Sequence, residues 1–122
     1  MDRLVKVIAT LAVLALSAQV SVAASHYVRV SPGTVQRGKT VRVYGSVGTG
    51  CARGAQVTII SRAFKGATSR SFAGVPAIYA HQQTNHAFSF KVTIRKTTKK
   101  GTYTLSGRCG GGNFGSAKLK VT

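Results

Sequence analysis

Residues 86–95 (HAFSFKVTIR) place Phe88, Phe90, Val92 and Ile94 on one side of an extended chain and Ser89, Lys91, Thr93 and Arg95 on the other. Successive side chains of a β-strand point to opposite faces, so this run specifies a strand with one buried and one solvated face. A helix would spread the same four apolar residues around its circumference. A chain holding such a strand has to supply its apolar face with a partner layer.

The period of two recurs along the chain. Residues 26–30 (HYVRV) read as a first strand, closed by the turn sequence Ser31-Pro32-Gly33, and 39–46 (KTVRVYGS) set Val41 and Val43 against Arg42 and Tyr44. Residues 56–63 (QVTIISRA) are rich in β-branched side chains, with Val57 and Ile59 inward. After the polar link from Lys96 to Gly101 come 102–109 (TYTLSGRC) and 115–122 (GSAKLKVT), the latter with Ala117, Leu119 and Val121 inward and Lys118 and Lys120 outward. Gly48, Gly50 and Gly54 mark a loop around Cys51, and Gly110-Gly111-Gly112-Asn113 suits a tight turn with positive φ. Across 64–85, Gly66, Gly74 and Pro76 break the pattern and leave only 77–80 (AIYA) as a short edge strand. Six strands and a shorter seventh predict an all-β antiparallel sandwich. A small closed barrel satisfies the same alternation.

The two ends of the chain differ in kind. Arg3 and Lys6 precede an apolar run over 7–16, and Ser21-Val22-Ala23-Ala24 follow it, which is the pattern of an export signal cleaved after Ala24. The run is shorter than the roughly 20 apolar residues a membrane helix requires. The reading is therefore a signal peptide over 1–24 and one domain over 25–122, secreted or held at the cell envelope, with no transmembrane segment after cleavage. Cys51 and Cys109, an even pair in an exported chain, favour a disulfide over free thiols or pairing between chains.

Charge excludes more than it identifies. The single acidic residue, Asp2, leaves with the signal, while 16 of the 18 Lys and Arg remain. Without Asp or Glu the domain has no paired carboxylates for glycoside hydrolysis and no acid to orient a serine triad. A disulfide removes the thiol that a Cys–His nucleophile needs. His26, His81 and His86 follow no strong metal spacing, and the glycine run at 110–112 opens no helix and so makes no phosphate loop. No catalytic residue, metal or cofactor is expected.

Ser31-Pro32-Gly33, Gly38 and Val41-x-Val43-x-Gly45, together with Gly101-Thr102-Tyr103-Thr104-Leu105-x-Gly107-x-Cys109, resemble the strands and corners of immunoglobulin-like modules in secreted bacterial proteins. The resemblance implies an immunoglobulin-like sandwich used for binding, spacing or adhesion. The chain departs from antibody domains in having no Trp, and Tyr103 stands six positions before Cys109, where a tyrosine corner stands two before its cysteine.

Immunoglobulin strand order, with 77–80 as the fourth strand, brings Arg37 and Lys39 to the same end as Lys96, Lys99 and Lys100. Arg29, Arg42, Lys91 and Arg95 then point outward on one adjoining sheet face. These nine residues are the candidate polyanion-binding set, and a solvated cationic face is the alternative. The disulfide-tied loops fall at the opposite end with Phe114, read as a plug over the core. The expected partner is an anionic cell-envelope polymer or surface. Nucleic acid is disfavoured, because Tyr and Phe are not interleaved with the outward cations as a stacking platform requires. The alternatives are a structural or adhesive protein that pairs with itself or another protein, and a cationic antibacterial protein.

Overall fold

Inward-pointing valines decide which faces meet. The computed structural model describes residues 26–52, 54–110 and 112–122, so the signal expected over 1–24 lies outside the described residues. Nine strands follow in order: β1 (Tyr27–Ser31), β2 (Thr34–Val35), β3 (Thr40–Ser46), β4 (Gln56–Ile60), β5 (Ser71–Phe72), β6 (Val75–His81), β7 (Ala87–Thr93), β8 (Gly101–Cys109) and β9 (Gly112–Val121). They form a three-stranded sheet, β1-β3-β7, and a six-stranded sheet, β2-β9-β8-β4-β6-β5. Val41, Val43 and Phe88 from the first sheet meet Val57, Ile59, Leu105, Leu119 and Val121 from the second, all essentially excluded from solvent. The fold is an all-β sandwich with one disulfide, Cys51–Cys109.

Several boundaries differ from the sequence reading, each for a local reason. The β4 strand stops at Ile60 and does not run to residue 63, because the Ser61 hydroxyl accepts from the Ala63 N–H at 3.1 Å and starts a 3-10 turn over Arg62–Phe64. That turn buries Phe64 completely, with its ring edge-on to Phe90 at 6.4 Å. The segment expected as a short strand over 77–80 is the seven-residue β6, lying beside β4 in the larger sheet. It is joined to β5 by a two-residue turn in which Ala73 and Gly74 both have positive φ. One pairing is parallel where a wholly antiparallel sandwich was expected. Pro32 and Gly33 carry the chain across to the second sheet without reversing it, and β2 lies parallel to β9.

At one end, Cys51 and Cys109 tie the loop after β3 to the end of β8, with their Cα atoms 5.9 Å apart. Beside them the β8–β9 register slips: Gly107 faces Gly115 while Arg108 faces Asn113, and Phe114 is the extra residue of a bulge. The bulge turns the Phe114 ring onto Phe88, centroids 5.8 Å apart in a T-shaped pair. Gly107 makes the room, since a Cβ there would stand 2.5 Å from the ring. Phe114 thus packs against the core in the plugging position that the sequence suggested.

Two measurements test this account. Replacing both Cys51 and Cys109 by Ser should cost about 4 kcal/mol in chemical denaturation, the loop-closure value for a separation of 58 residues. Ala73→Asn should stabilise the domain by about 0.5–1 kcal/mol in the same assay, because Asn tolerates the left-handed backbone that Ala73 adopts.

Candidate functional site

The antiparallel run of the strands brings three chain segments to the end opposite the disulfide: the β2–β3 link, the β4–β5 link and the β7–β8 link. Arg37 and Lys39 lie in the first, Lys96, Lys99 and Lys100 in the third, and all five are exposed. Backbone bonds clamp these two links together: Gly38 N–H donates to the Ile94 carbonyl at 2.7 Å, and Ile94 N–H donates to the Lys39 carbonyl at 2.9 Å. Gly38 has a φ of 88°, and a Cβ there would come within 3.1 Å of the Lys96 stem that lies over it. Lys96 is therefore held across the β2–β3 link by contact with its aliphatic part.

The middle segment contributes cations that sequence reasoning missed. In the 3-10 turn, Ala63 and Phe64 enter the core while Arg62 and the following Lys65 remain exposed. A cleft of about 630 Å³ lies between this turn and the β7–β8 link, lined by Arg62, Lys65, Gly66, Thr97, Thr98, Lys99 and Tyr103. The Tyr103 hydroxyl donates to the Lys99 carbonyl and fixes that wall. Arg95 belongs to this end and not to the strand face where it was expected, because β7 stops at Thr93. Its stem packs near Gly66, where a Cβ would stand 3.3 Å from Arg95 Cγ. The signal available in the sequence was Ser61, a poor strand residue but a good helix cap, just before Arg62.

The other three candidates, Arg29, Arg42 and Lys91, stand on the outer face of the three-stranded sheet. Arg42 and Lys91 are direct cross-strand partners, a like-charge pairing that costs stability. Arg42 is held by a 3.0 Å bond from Nε to the Ser89 hydroxyl and by stacking 4.4 Å over the Tyr44 ring. Arg29 lies 5.2 Å over the Tyr27 ring. Tyrosines are thus interleaved with these cations, which overturns the expectation that they are not. Tyr27 and Arg29, like Arg42 and Tyr44, are two residues apart on a strand and so share a face.

At the disulfide end a smaller cleft of about 200 Å³ is lined by His26, Val47, Gly50, Cys51, Cys109, Gly112, Asn113 and Phe114. His26 Nδ1 lies 2.7 Å from the Phe114 carbonyl and holds the bulge in place. Among the described residues no group of three or more His, Cys, Asp or Glu is arranged to hold a metal ion, and no helix is long and apolar enough to cross a membrane.

No family model and no curated protein matches the chain. Solved structures share its fold. The Pseudomonas fluorescens alkylpurine DNA glycosylase AlkC, bound to DNA containing an abasic site analog, is similar over 80% of this chain and 30% of its own length, with 12% identity and a TM-score of 0.55. The native E. coli alpha-2-macroglobulin is similar over 80% of this chain and 6% of its own length, with 13% identity and a TM-score of 0.55. At such identities the likeness is one of fold alone, and the chain spans less than a third of either neighbour.

Crowding cations around one cleft without a carboxylate costs folding free energy at low ionic strength. The double substitution Lys65→Gln and Lys99→Gln should therefore raise the melting temperature by roughly 1–3 °C near 20 mM salt, and the gain should vanish near 0.5 M salt. Calorimetry at the two salt concentrations checks both halves.

Proposed function

We propose that the domain is a noncatalytic, immunoglobulin-like binding module, secreted or associated with the cell envelope, that docks onto anionic polymers or surfaces through its cationic end. The observation that carries this reading is the gathering of Arg62, Lys65 and Lys99 around one cleft, beside the clamped links that bear Arg37, Lys39 and Lys96. Like charges held together by a rigid fold are complementary to a partner of opposite sign. The fold-level likeness to alpha-2-macroglobulin is compatible with an immunoglobulin-like reading. The disulfide and the signal-like leader favour an oxidising, extracytoplasmic site.

The mechanism is electrostatic. Each cation that meets an anionic group on a polymer releases a condensed counterion, so affinity falls as a power of salt concentration. Five such contacts predict a loss of roughly a hundredfold between about 50 and 200 mM salt. Extension of the contact onto the strand face adds Arg29, Arg42 and Lys91, and Arg95 bridges the two areas.

Retention on isolated envelope material, with dextran sulfate as a defined control polymer, should follow that salt dependence. It should drop at least tenfold at low salt when Arg37, Lys39, Lys96, Lys99 and Lys100 are all changed to Gln. Retention indifferent to both treatments sinks the proposal.

A further inference from the structure

The outer face of the three-stranded sheet has a composition that charge alone does not explain. Its cross-strand rows are Tyr27–Ser46–Ala87, then Arg29–Tyr44–Ser89, then Ser31–Arg42–Lys91, then Thr40–Thr93. Neighbouring strands lie about 5 Å apart and successive rows on one face about 6.7 Å apart. Two tyrosines and three cations therefore run diagonally from the start of β1 toward the end of β7, over a background of small hydroxyl side chains. Arg29, Arg42 and Lys91 are exposed and the two rings are half-buried.

We infer that this face is a stacking platform for single-stranded nucleic acid. The inference rests on the polyanion reading and narrows it, because it assigns the outer-face cations a ligand that carries planar rings as well as negative charge. Three observations favour that ligand. Both tyrosines have a guanidinium close above the ring, Arg29 at 5.2 Å from the Tyr27 centroid and Arg42 at 4.4 Å from that of Tyr44, so each position joins an aromatic ring to a cation, the combination on which bases are held. Arg42 is also pinned by Ser89, which leaves its other N–H groups to meet a phosphate without first being ordered. The Arg42–Lys91 pair is then relieved of its repulsion by an anion laid across β3 and β7. A sugar polymer is a poorer match, since its apolar C–H faces pack best on a bare ring and gain little from a charged guanidinium. For a domain outside the cell the ligand is released, unpaired DNA or RNA.

Fluorescein-labelled (dT)20 anisotropy, polyphosphate of matched charge and polygalacturonate, all at about 100 mM salt, provide the test. The chain has no Trp, so intrinsic fluorescence reports its tyrosines directly, and quenching is expected with (dT)20 but not with polyphosphate. Tyr27→Leu and Tyr44→Leu should each weaken (dT)20 binding roughly tenfold and leave polyphosphate binding unchanged, while Tyr44→Phe keeps the affinity because the ring does the stacking. Circular dichroism establishes that each variant is folded. Equal affinity for (dT)20 and polyphosphate, with no effect of either Leu variant, overturns the platform and leaves the electrostatic reading standing. Failure to bind any of the three polymers overturns both. Tyrosine-dependent binding of polygalacturonate without that of (dT)20 overturns the inference in favour of an acidic polysaccharide.

Discussion

A cation in most folded domains settles beside a carboxylate. Here the only acidic side chain, Asp2, lies outside the described residues, and guanidinium groups settle on aromatic faces instead. Arg29 covers Tyr27, Arg42 covers Tyr44, Arg70 covers Tyr79 at 4.0 Å and Arg108 lies over Phe72 at 5.5 Å. Each contact is worth about 0.5–1 kcal/mol at an exposed site and leaves the charge unneutralised. The sandwich therefore anchors these four arginines without cancelling their field. Lysines are held by other means: Lys96 by its stem on Gly38, Lys118 by the Thr104 hydroxyl at 2.6 Å.

Core packing then determines where the field is strongest. Phe64 enters the core through a single 3-10 turn, and the residues flanking Ala63 and Phe64 are forced outward, which puts Arg62 and Lys65 on the cleft wall. The opposite wall is placed by the backbone bonds between Gly38, Lys39 and Ile94. Ile94 is itself fully buried, so the clamp is tied to the core. The cationic end is a by-product of burying Phe64 and Ile94, and it inherits their rigidity. At the other end the disulfide and the Phe114 bulge close the sandwich by covalent and steric means.

Most of the strand faces were legible because alternation is unambiguous when aliphatic residues alternate with charged ones, as in Val41-Arg42-Val43 and Leu119-Lys120-Val121. Residues 64–85 were not. The β5–β6 turn is built on Ala73-Gly74, and alanine carries none of the left-handed preference that Asn or Asp would announce. The five loop cations were legible through connectivity, since antiparallel strands send alternate links to one end. Arg62 was hidden by reading residues 56–63 as unbroken strand, and Lys65 by the broken pattern that begins at residue 64. The tyrosines on the outer face were visible in the parity of 27 with 29 and of 42 with 44, but their pairing across β1 and β3 depends on register, which alternation does not specify.

The guanidinium–ring stacks have a consequence for where such a domain is able to work. A salt bridge dissolves when its carboxylate takes up a proton, and acid unfolding of proteins mostly follows that loss. A stack of Arg42 on Tyr44 or of Arg70 on Tyr79 contains no carboxylate to lose. Protonation of side-chain carboxylates thus finds no Asp or Glu among the described residues to act on, and the arginines keep their seats in surroundings sour enough to break up an ordinary ion-paired domain.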